Sequence, residues 1–334
     1  MQLISALDFG TIGPYCDMAR PHERRIIMSS TRKLSELIGE YAIKNPNLKS
    51  MTRARRKYIW GLLIEAVGDI DIADFGYNQA EDFQQFLYAR DLSPSSVKSY
   101  RKAIQSMMRW CWRRGYRSSD PFDGLSQPRI AQSEIRVYSE AEVQALLSAA
   151  HNKIWRARIL AAVSAGLRKS EVLNLTVGDV NFERNYISVQ SKKETAHTWC
   201  WSPKNYQVRR VPLCEGLVNL LAEIIAELQP GQPYLLLTEQ RYFGIQQLRA
   251  EGMDDRIRTC PDENVRPWKN ILAATRIAGT FHDLRRTAIT RWTWNMPVQD
   301  VKKLAGHADI ATTMEYYAAV SNDIILRAAN CSIV

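Results

Sequence analysis

The sequence predicts a mainly α-helical protein with a small antiparallel β-sheet, divided between two domains. Its 334 residues exceed the roughly 100 to 200 residues of one typical domain. Apolar residues recur at helical spacing along most of the chain, whereas strand-like alternation is confined to residues 181–190 and 207–213. A polar segment with proline and glycine, 121–135, separates the two predicted domains and is interpreted as a linker.

The first predicted domain, 31–120, follows an N-terminal extension, 1–30, and is helical throughout. Its clearest helix begins at Ser93 and Pro94, because a serine N-cap followed by proline suits the first helical turn. The apolar face of this helix is formed by Val97, Tyr100, Ile104, Met107 and Cys111. Two basic clusters, within 53–57 and 109–117, are suited either to phosphate contacts or to a solvated helix face.

The second predicted domain, 136–320, begins with a helix, since Ser139 and Glu142 have the spacing of a capping box. The two strand-like segments lie within this domain, where helical spacing returns on both sides of them. We therefore expect a small antiparallel sheet inserted among helices. A C-terminal tail, 321–334, follows this domain.

The charge of the chain favours a polyanionic partner. The chain has 45 Lys and Arg residues against 35 Asp and Glu residues, which gives a net charge of +10. Nucleic acid is the leading candidate for the partner, and the alternative is a basic soluble protein that binds no polyanion. The composition, 46% apolar and 24% charged, excludes wholesale disorder. The six cysteines lack zinc-type spacing, and no secretory signal or apolar run of about 18 residues is present, so we expect a cytoplasmic protein without a membrane anchor.

Two short motifs in the second domain carry cations suited to a phosphate. In AGLRKSEVLNL, residues 165–175, Arg168 follows Gly166 where a helix opens, so its guanidinium can form a fork onto two phosphate oxygens. Taken alone, Arg168 would be an ordinary surface arginine. In FHDLRRT, residues 281–287, His282 and Arg285 are three residues apart and share one helix face.

Two further motifs add a histidine, tyrosines and a lysine. In LAGHADIATTMEYY, residues 304–317, Gly306 can end one helix and Asp309 can cap the next. His307 then lies in the turn, and Tyr316 lies two turns into the second helix. In SPKNYQVRRVPL, residues 202–213, Lys204 precedes the second strand-like segment, and a lysine at the tip of a hairpin can swing into a minor groove or an active site.

Each motif alone is weak, but the G-L-R, H-x-L-R-R, G-H and Tyr set in this order resembles the catalytic domain of the tyrosine recombinase (phage integrase) family. The resemblance covers about residues 136–320. The helical segment 31–120 is similar to the family's core-binding, SAM-like DNA-binding domain in length and pattern. The resemblance implies a site-specific recombinase or integrase that cuts and rejoins DNA through a covalent 3′-phosphotyrosine intermediate.

The resemblance also implies roles for individual residues. Arg168 and Arg285 correspond to the phosphate-binding arginines, and His282 and His307 to the active-site histidines. Tyr316, nine residues after His307, corresponds to the nucleophile. Tyr317 does not fall at that spacing.

The catalytic lysine is harder to place because the segment between the strands is long for the family. Lys204 matches best through the P-K…R-R-V-P-L context, while Lys192 and Lys193, directly after the first strand, are the alternatives. Glu171, inside the first arginine motif, is interpreted as a residue that orients a basic neighbour.

The expected partner is double-stranded DNA, bound by a homotetramer in the synaptic complex and assisted by accessory DNA-bending proteins; no cofactor or metal is expected. The apolar face of the tail, formed by Ile324, Ile325, Leu326 and Ala329, can dock on a neighbouring protomer or pack on its own domain. The resemblance implies that the biological role is that of a mobile-element integrase or a Xer-type resolvase. The alternatives are a type IB topoisomerase-like DNA relaxing enzyme and a catalytically silent DNA-binding protein.

Overall fold

The structure, a computed structural model, describes residues 32–45, 50–131, 134–253 and 265–318. The chain divides into two compact units, 1–131 and 132–334, and the boundary falls inside the predicted linker segment. The predicted extension 1–30 and tail 321–334, with the predicted docking of the tail, lie outside the described residues. Across the described ranges, no helix is both long and apolar enough to cross a membrane.

The described part of the first unit is built from helices around one core. These are α1 (Leu34–Lys44), α2 (Ser50–Val67), α3 (Tyr77–Tyr88) and α4 (Pro94–Arg113). Helix α4 begins as predicted, because the Ser93 hydroxyl accepts a hydrogen bond from the Ser96 amide at 3.3 Å. The predicted apolar face of α4 enters this core, with Tyr100 at its edge.

The first part of the segment predicted as a linker belongs to the core of the first unit. Phe122 and Leu125 are buried there, and the buried guanidinium of Arg101 donates to their carbonyls at 3.3 and 2.7 Å. These main-chain acceptors offset part of the cost of burying the arginine. The segment therefore continues the first unit before it leads to the second.

The second unit contains the remaining described helices and the sheet. Its helices among the described residues are α5 (Glu140–Ala149), α6 (Lys153–Val163), α7 (Lys169–Leu173), α8 (Glu215–Ala226), α9 (Glu239–Ala250), α10 (Val265–Thr275), α11 (Phe281–Thr293), α12 (Val298–Ala305) and α13 (Ile310–Ala318). The predicted capping box starts α5, with hydrogen bonds of 3.2 and 2.8 Å between Ser139 and Glu142. Helix α6 is central and packs against α8 and α11. Both helices can approach α6 closely because its buried residues include the small Ala157, Ala161 and Ala162.

The small antiparallel sheet has the order β1 (Val180–Asn181), β2 (Tyr186–Val189), β3 (Arg209–Pro212). Both pairings are antiparallel, so the predicted fold class is confirmed. The prediction of one strand over 181–190 is wrong, because this segment is a hairpin. Asn185 has a left-handed φ of 49°, and the Asn181 side chain accepts a hydrogen bond from the Arg184 amide at 2.7 Å, which turns the chain.

The long connection between β2 and β3, residues 190–208, is attached to the body of the unit. Lys192 and Trp201 pair through both backbone hydrogen bonds, at 2.7 and 3.2 Å. The Trp199 ring stacks on Tyr234 with 3.9 Å between centroids, and its indole N–H donates to the Asn174 side chain at 2.8 Å. These contacts hold the connection close to the end of α7.

Candidate active site

Three arginines from three different elements meet at the C-terminal end of α12. Arg209 Nε donates to carbonyl 304 at 2.8 Å, Arg285 Nη2 to carbonyl 305 at 2.6 Å and Arg168 Nη2 to carbonyl 306 at 2.7 Å. The last carbonyls of a helix carry partial negative charge and lack helical partners. The end of α12 therefore fixes three guanidinium groups side by side.

Glu171 connects two of these arginines. The residue is 3% exposed. Its carboxylate accepts from Arg209 Nη1 and Nη2 at 2.9 and 2.6 Å, and from Arg168 Nη1 and backbone N at 2.9 and 2.8 Å. Burial by itself raises the pKa of Glu171, but the hydrogen bonds and charge of Arg209, followed by those of Arg168, lower this pKa to about 2. The carboxylate is thus ionised at neutral pH, as its predicted role of orienting a basic neighbour requires.

Two glycines with left-handed backbones allow this close packing. Gly166 has a φ of 60°, its carbonyl accepts from Arg285 Nη1, and a Cβ there would lie 2.5 Å from the Trp292 ring. Gly306 has a φ of 62°, ends α12 as predicted, and leaves room for Arg209, whose Cδ would lie 3.1 Å from an added Cβ. Both positions need glycine for conformation and for space.

Arg285 and His307 are buried among positive charges. Arg285 is 2% exposed, and burial, followed by the charge of Arg168, lowers its pKa to about 9. The His307 ring lies in the turn after α12, with Nδ1 3.0 Å from the Thr313 hydroxyl. Burial, followed by the charges of Arg285 and Arg168, lowers the pKa of His307 to about 4, so this imidazole is neutral at pH 7.

The two neighbouring tyrosines of α13 have different surroundings. Tyr316 is 6% exposed, and its ring is stacked near that of His307, with 5.8 Å between centroids. Burial raises the pKa of Tyr316, while the charges of Arg285 and Arg286 oppose the increase. Tyr317 instead donates its hydroxyl hydrogen bond to the Met296 carbonyl. Among the described residues, arginines therefore affect the pKa of Tyr316 and not that of Tyr317.

His282 lies one turn before Arg285 on α11, and its side chain is exposed. Partial desolvation, followed by the charges of Arg285 and Arg286, lowers its pKa. Its charge in turn contributes to the lowered pKa of His307, which places both imidazoles within electrostatic range. His282 therefore lies at the open side of the cluster.

The candidate lysines are placed differently from the arginines. Lys204 is exposed in a short turn, Lys204–Tyr206, and no hydrogen bond or ion pair joins it to the arginine cluster within the described ranges. Lys193 is exposed as well. The Lys192 side chain is only 10% exposed, forms an ion pair with the Asp179 carboxylate, and lines a small cavity together with Glu171.

The structure thus brings Arg168, Arg285, His307 and Tyr316 together, with His282 at the edge and Lys204 apart. Sequence reasoning did not single out Arg209. A signal was available, since the period of two in a strand places Arg209 on the same inward face as Val211 and Leu213, where an arginine is unusual.

The sequence matches a known protein family and several of its characterised members. The model of the phage integrase family matches residues 136–323. Tyrosine recombinase XerA of Pyrococcus horikoshii is 25% identical over 246 residues, covering 72% of this chain and 76% of the relative. A XerC-like tyrosine recombinase of Caldanaerobacter subterraneus subsp. tengcongensis is 24% identical over 289 residues, covering 78% and 70%.

Two solved structures share the fold. The Tn1549 transposon integrase in complex with a circular intermediate DNA has a TM-score of 0.68 and 19% identity, over 86% of this chain and 95% of that one. A lambda integrase dimer bound to a COC′ core site has a TM-score of 0.64 and 13% identity, over 90% and 81%.

Proposed function

The chain belongs to the phage integrase family of tyrosine recombinases, and from this membership we propose that Tyr316 is the nucleophile with which it cuts and rejoins DNA at specific sites. The observation that carries the proposal is the meeting of a buried phenol, a neutral imidazole and buried guanidinium groups around the end of α12. The positive charges of Arg168, Arg209 and Arg285 exceed the negative charge of Glu171, and a phosphodiester supplies negative charge that offsets this surplus.

The reaction consists of two exchanges at phosphorus. The Tyr316 phenol oxygen attacks, the bond between phosphorus and the 5′ oxygen breaks, and the phenol proton is removed while the leaving oxygen gains a proton. The resulting 3′-phosphotyrosine conserves the ester, which a 5′-hydroxyl then attacks in the reverse sense. Joining therefore needs no outside energy source.

The arginines stabilise the charge that develops during attack. Arg168 and Arg285 are fixed by main-chain carbonyls, so each can direct remaining N–H groups to non-bridging oxygens without reorganising. His307, neutral at pH 7, is available to accept the phenol proton or to donate a hydrogen bond to the phosphate. His282, at the open side, is proposed as a second hydrogen-bond donor.

For the general acid that protonates the leaving 5′ oxygen, we favour Lys192 over the sequence-based choice, Lys204. Burial in a cavity shared with Glu171 supports Lys192, although its ammonium must first leave Asp179. A substrate with sulfur in place of the 5′ oxygen tests this, because a thiolate leaves without a proton. Lys192→Ala is expected to cleave this substrate at the wild-type rate and the normal substrate slowly. The same pattern in Lys204→Ala or Lys193→Ala would identify that lysine instead.

The nucleophile is tested by trapping the covalent intermediate on nicked duplexes taken from the genomic flanks of the coding sequence. We expect a protein–DNA band in wild type and in Tyr317→Phe, unaffected by a chelator, and no band in Tyr316→Phe. Loss only in Tyr317→Phe would move the nucleophile by one residue. The absence of a band in wild type with every duplex would favour the catalytically silent DNA-binding alternative.

The proposed partner is double-stranded DNA, bound by four protomers during recombination. On the first unit, α4 presents Lys98, Lys102, Arg109 and Arg113 along one groove, which suits a phosphate backbone. The Xer names of relatives support a resolvase, and the likeness to a transposon integrase supports a mobile-element enzyme. Relaxation of a plasmid that lacks specific sites would instead indicate a type IB topoisomerase-like activity.

A further inference from the structure

Strand β3 carries a buried arginine that the proposed chemistry does not use directly. The Arg209 side chain is 5% exposed, on the face of β3 that enters the core, while its neighbour Arg210 points outward. A buried cation is costly unless its donors are satisfied. Each guanidinium nitrogen of Arg209 has a protein acceptor: the Leu304 carbonyl for Nε, and the two Glu171 oxygens for Nη1 and Nη2.

These acceptors are the supports of the phosphate-binding arginines. Glu171 accepts two hydrogen bonds from Arg168, one from its side chain and one from its amide. The end of α12 holds Arg168 through carbonyl 306 and Arg285 through carbonyl 305. Arg209 is therefore a second side chain, besides Arg168, that ties Glu171 to the end of α12.

We propose that Arg209 is a positioning residue for the recombinase reaction, which fixes Arg168 and Arg285 relative to each other through Glu171 and the α12 carbonyls. This inference rests on the proposed function. Arg209 contributes indirectly, because all three of its guanidinium nitrogens donate to the protein, whereas Arg168 and Arg285 donate only through Nη1 and Nη2 among the described residues and keep Nε for a phosphate. Displacements of about 1 Å at such groups are enough to slow a reaction on the order of 100-fold.

The fork geometry of Arg209 is the feature that matters. Two parallel hydrogen bonds to Glu171 and a third to Leu304 define both the position and the plane of the group. A lysine would keep the charge but could not reproduce this plane. We therefore expect Arg209→Lys to lie between wild type and Arg209→Met in cleavage rate.

The pH dependence of cleavage distinguishes positioning through Glu171 from a general loss of structure. Glu171 is faced by Arg168 beside α7, Arg209 from β3 and Arg285 from α11, and it shares its cavity with Lys192 and Asp179. Without Arg209, burial of the carboxyl is less opposed and its pKa rises. Cleavage by Arg209→Met should then fall, as pH decreases, at a higher pH than cleavage by wild type.

The experiment measures single-turnover formation of the covalent adduct on a nicked duplex at saturating protein, over an acid-to-neutral pH series. The variants are Arg209→Met, Arg209→Lys, the double variant Glu171→Gln/Arg209→Met, and Arg210→Met as the matched control. Arg210 is exposed on the same strand and lies over the Tyr186 ring at 4.9 Å. DNA affinity and thermal unfolding are recorded for each variant.

We expect Arg209→Met to form adduct up to about 100-fold more slowly with unchanged DNA affinity, and the acid limb of its pH–rate profile to move to higher pH. The double variant should lose this displaced limb, and Arg210→Met should match wild type. A wild-type rate in Arg209→Met, or a loss that is equal at every pH, would overturn the inference. No adduct in wild type would instead count against the proposed function.

Discussion

Cationic side chains are used in opposite ways in the two units of this protein. On the first unit, Lys98, Lys102 and Arg113 of α4 are exposed along one helix face. In the second unit, Arg285 and Arg209 are buried and bound to main-chain carbonyls. Exposed cations provide affinity that salt weakens, whereas fixed buried cations provide a charge that is already in place when a reaction needs it.

Burial of an arginine is not by itself a sign of catalysis. Arg101 of the first unit is also buried and donates to the carbonyls of Phe122 and Leu125, where it holds a turn. Arg285 differs because it lies among like charges, which together with burial lowers its pKa to about 9. A surplus of buried positive charge, rather than burial, marks the place where an anion is expected to bind.

The largest expected effect comes from neutralising a buried arginine of the second unit. Arg285→Met should reduce the single-turnover cleavage rate about 10³-fold, because one fixed donor to the developing phosphate charge is lost. Arg113→Met on α4 should leave this rate unchanged at saturating protein. Equal losses in both variants would show that the two units do not use their cations differently.

A second prediction concerns acid stability of the second unit. His307 has a folded pKa of about 4 against an ordinary value of 6.5, so the unfolded state binds its proton first as pH falls. The contribution of the neutral His307 to the free energy of unfolding is fully present above about pH 6.5. It is lost as pH falls towards 4, and the loss is at most about 3 kcal/mol. Urea unfolding across this window should show a smaller pH dependence in His307→Asn. An unchanged dependence would assign the acid sensitivity to other groups.

A third prediction addresses the exposed cations. The double variant Lys102→Met/Arg113→Met should bind DNA about 10-fold more weakly at moderate salt and reduce the slope of log affinity against log salt by about 2. The control Arg90→Met removes a cation of the same unit that Glu65 already neutralises. An unchanged slope in the double variant would remove the α4 face from the DNA contact.

The parts of this structure that the sequence predicted depend on local signals. Ser93 starts α4, Gly306 ends α12, and the Asp309 side chain accepts from the Ala311 amide at 3.0 Å at the start of α13. Each of these features involves residues within a few positions of one another, so a single segment is sufficient to predict it. The spacing of nine residues between His307, in the turn after α12, and Tyr316, on α13, is likewise contained in a single segment.

The parts that were missed depend on residues far apart in the chain. Arg209 is defined by Glu171, 38 residues earlier, and by Leu304, 95 residues later. The connection after β2 is held by the stacking of Trp199 on Tyr234, again a distant partner. A sequence pattern shows that Arg209 faces inward, but only the fold shows which groups it binds.

The smallest expected effect compares one helix cap in each unit. Ser93→Ala and Ser139→Ala each remove a side-chain acceptor from a helix amide, Ser96 N at 3.3 Å and Glu142 N at 3.2 Å, at a cost of about 1 kcal/mol. Ser139→Ala leaves the reciprocal bond from Ser139 N to the Glu142 carboxylate in place, so its effect should be the smaller. Hydrogen exchange should show faster opening of α4 alone in the first variant and of α5 alone in the second. Faster exchange throughout both units in either variant would mean that the two units unfold as one. The units would then differ in how they use their cations but not in their stability.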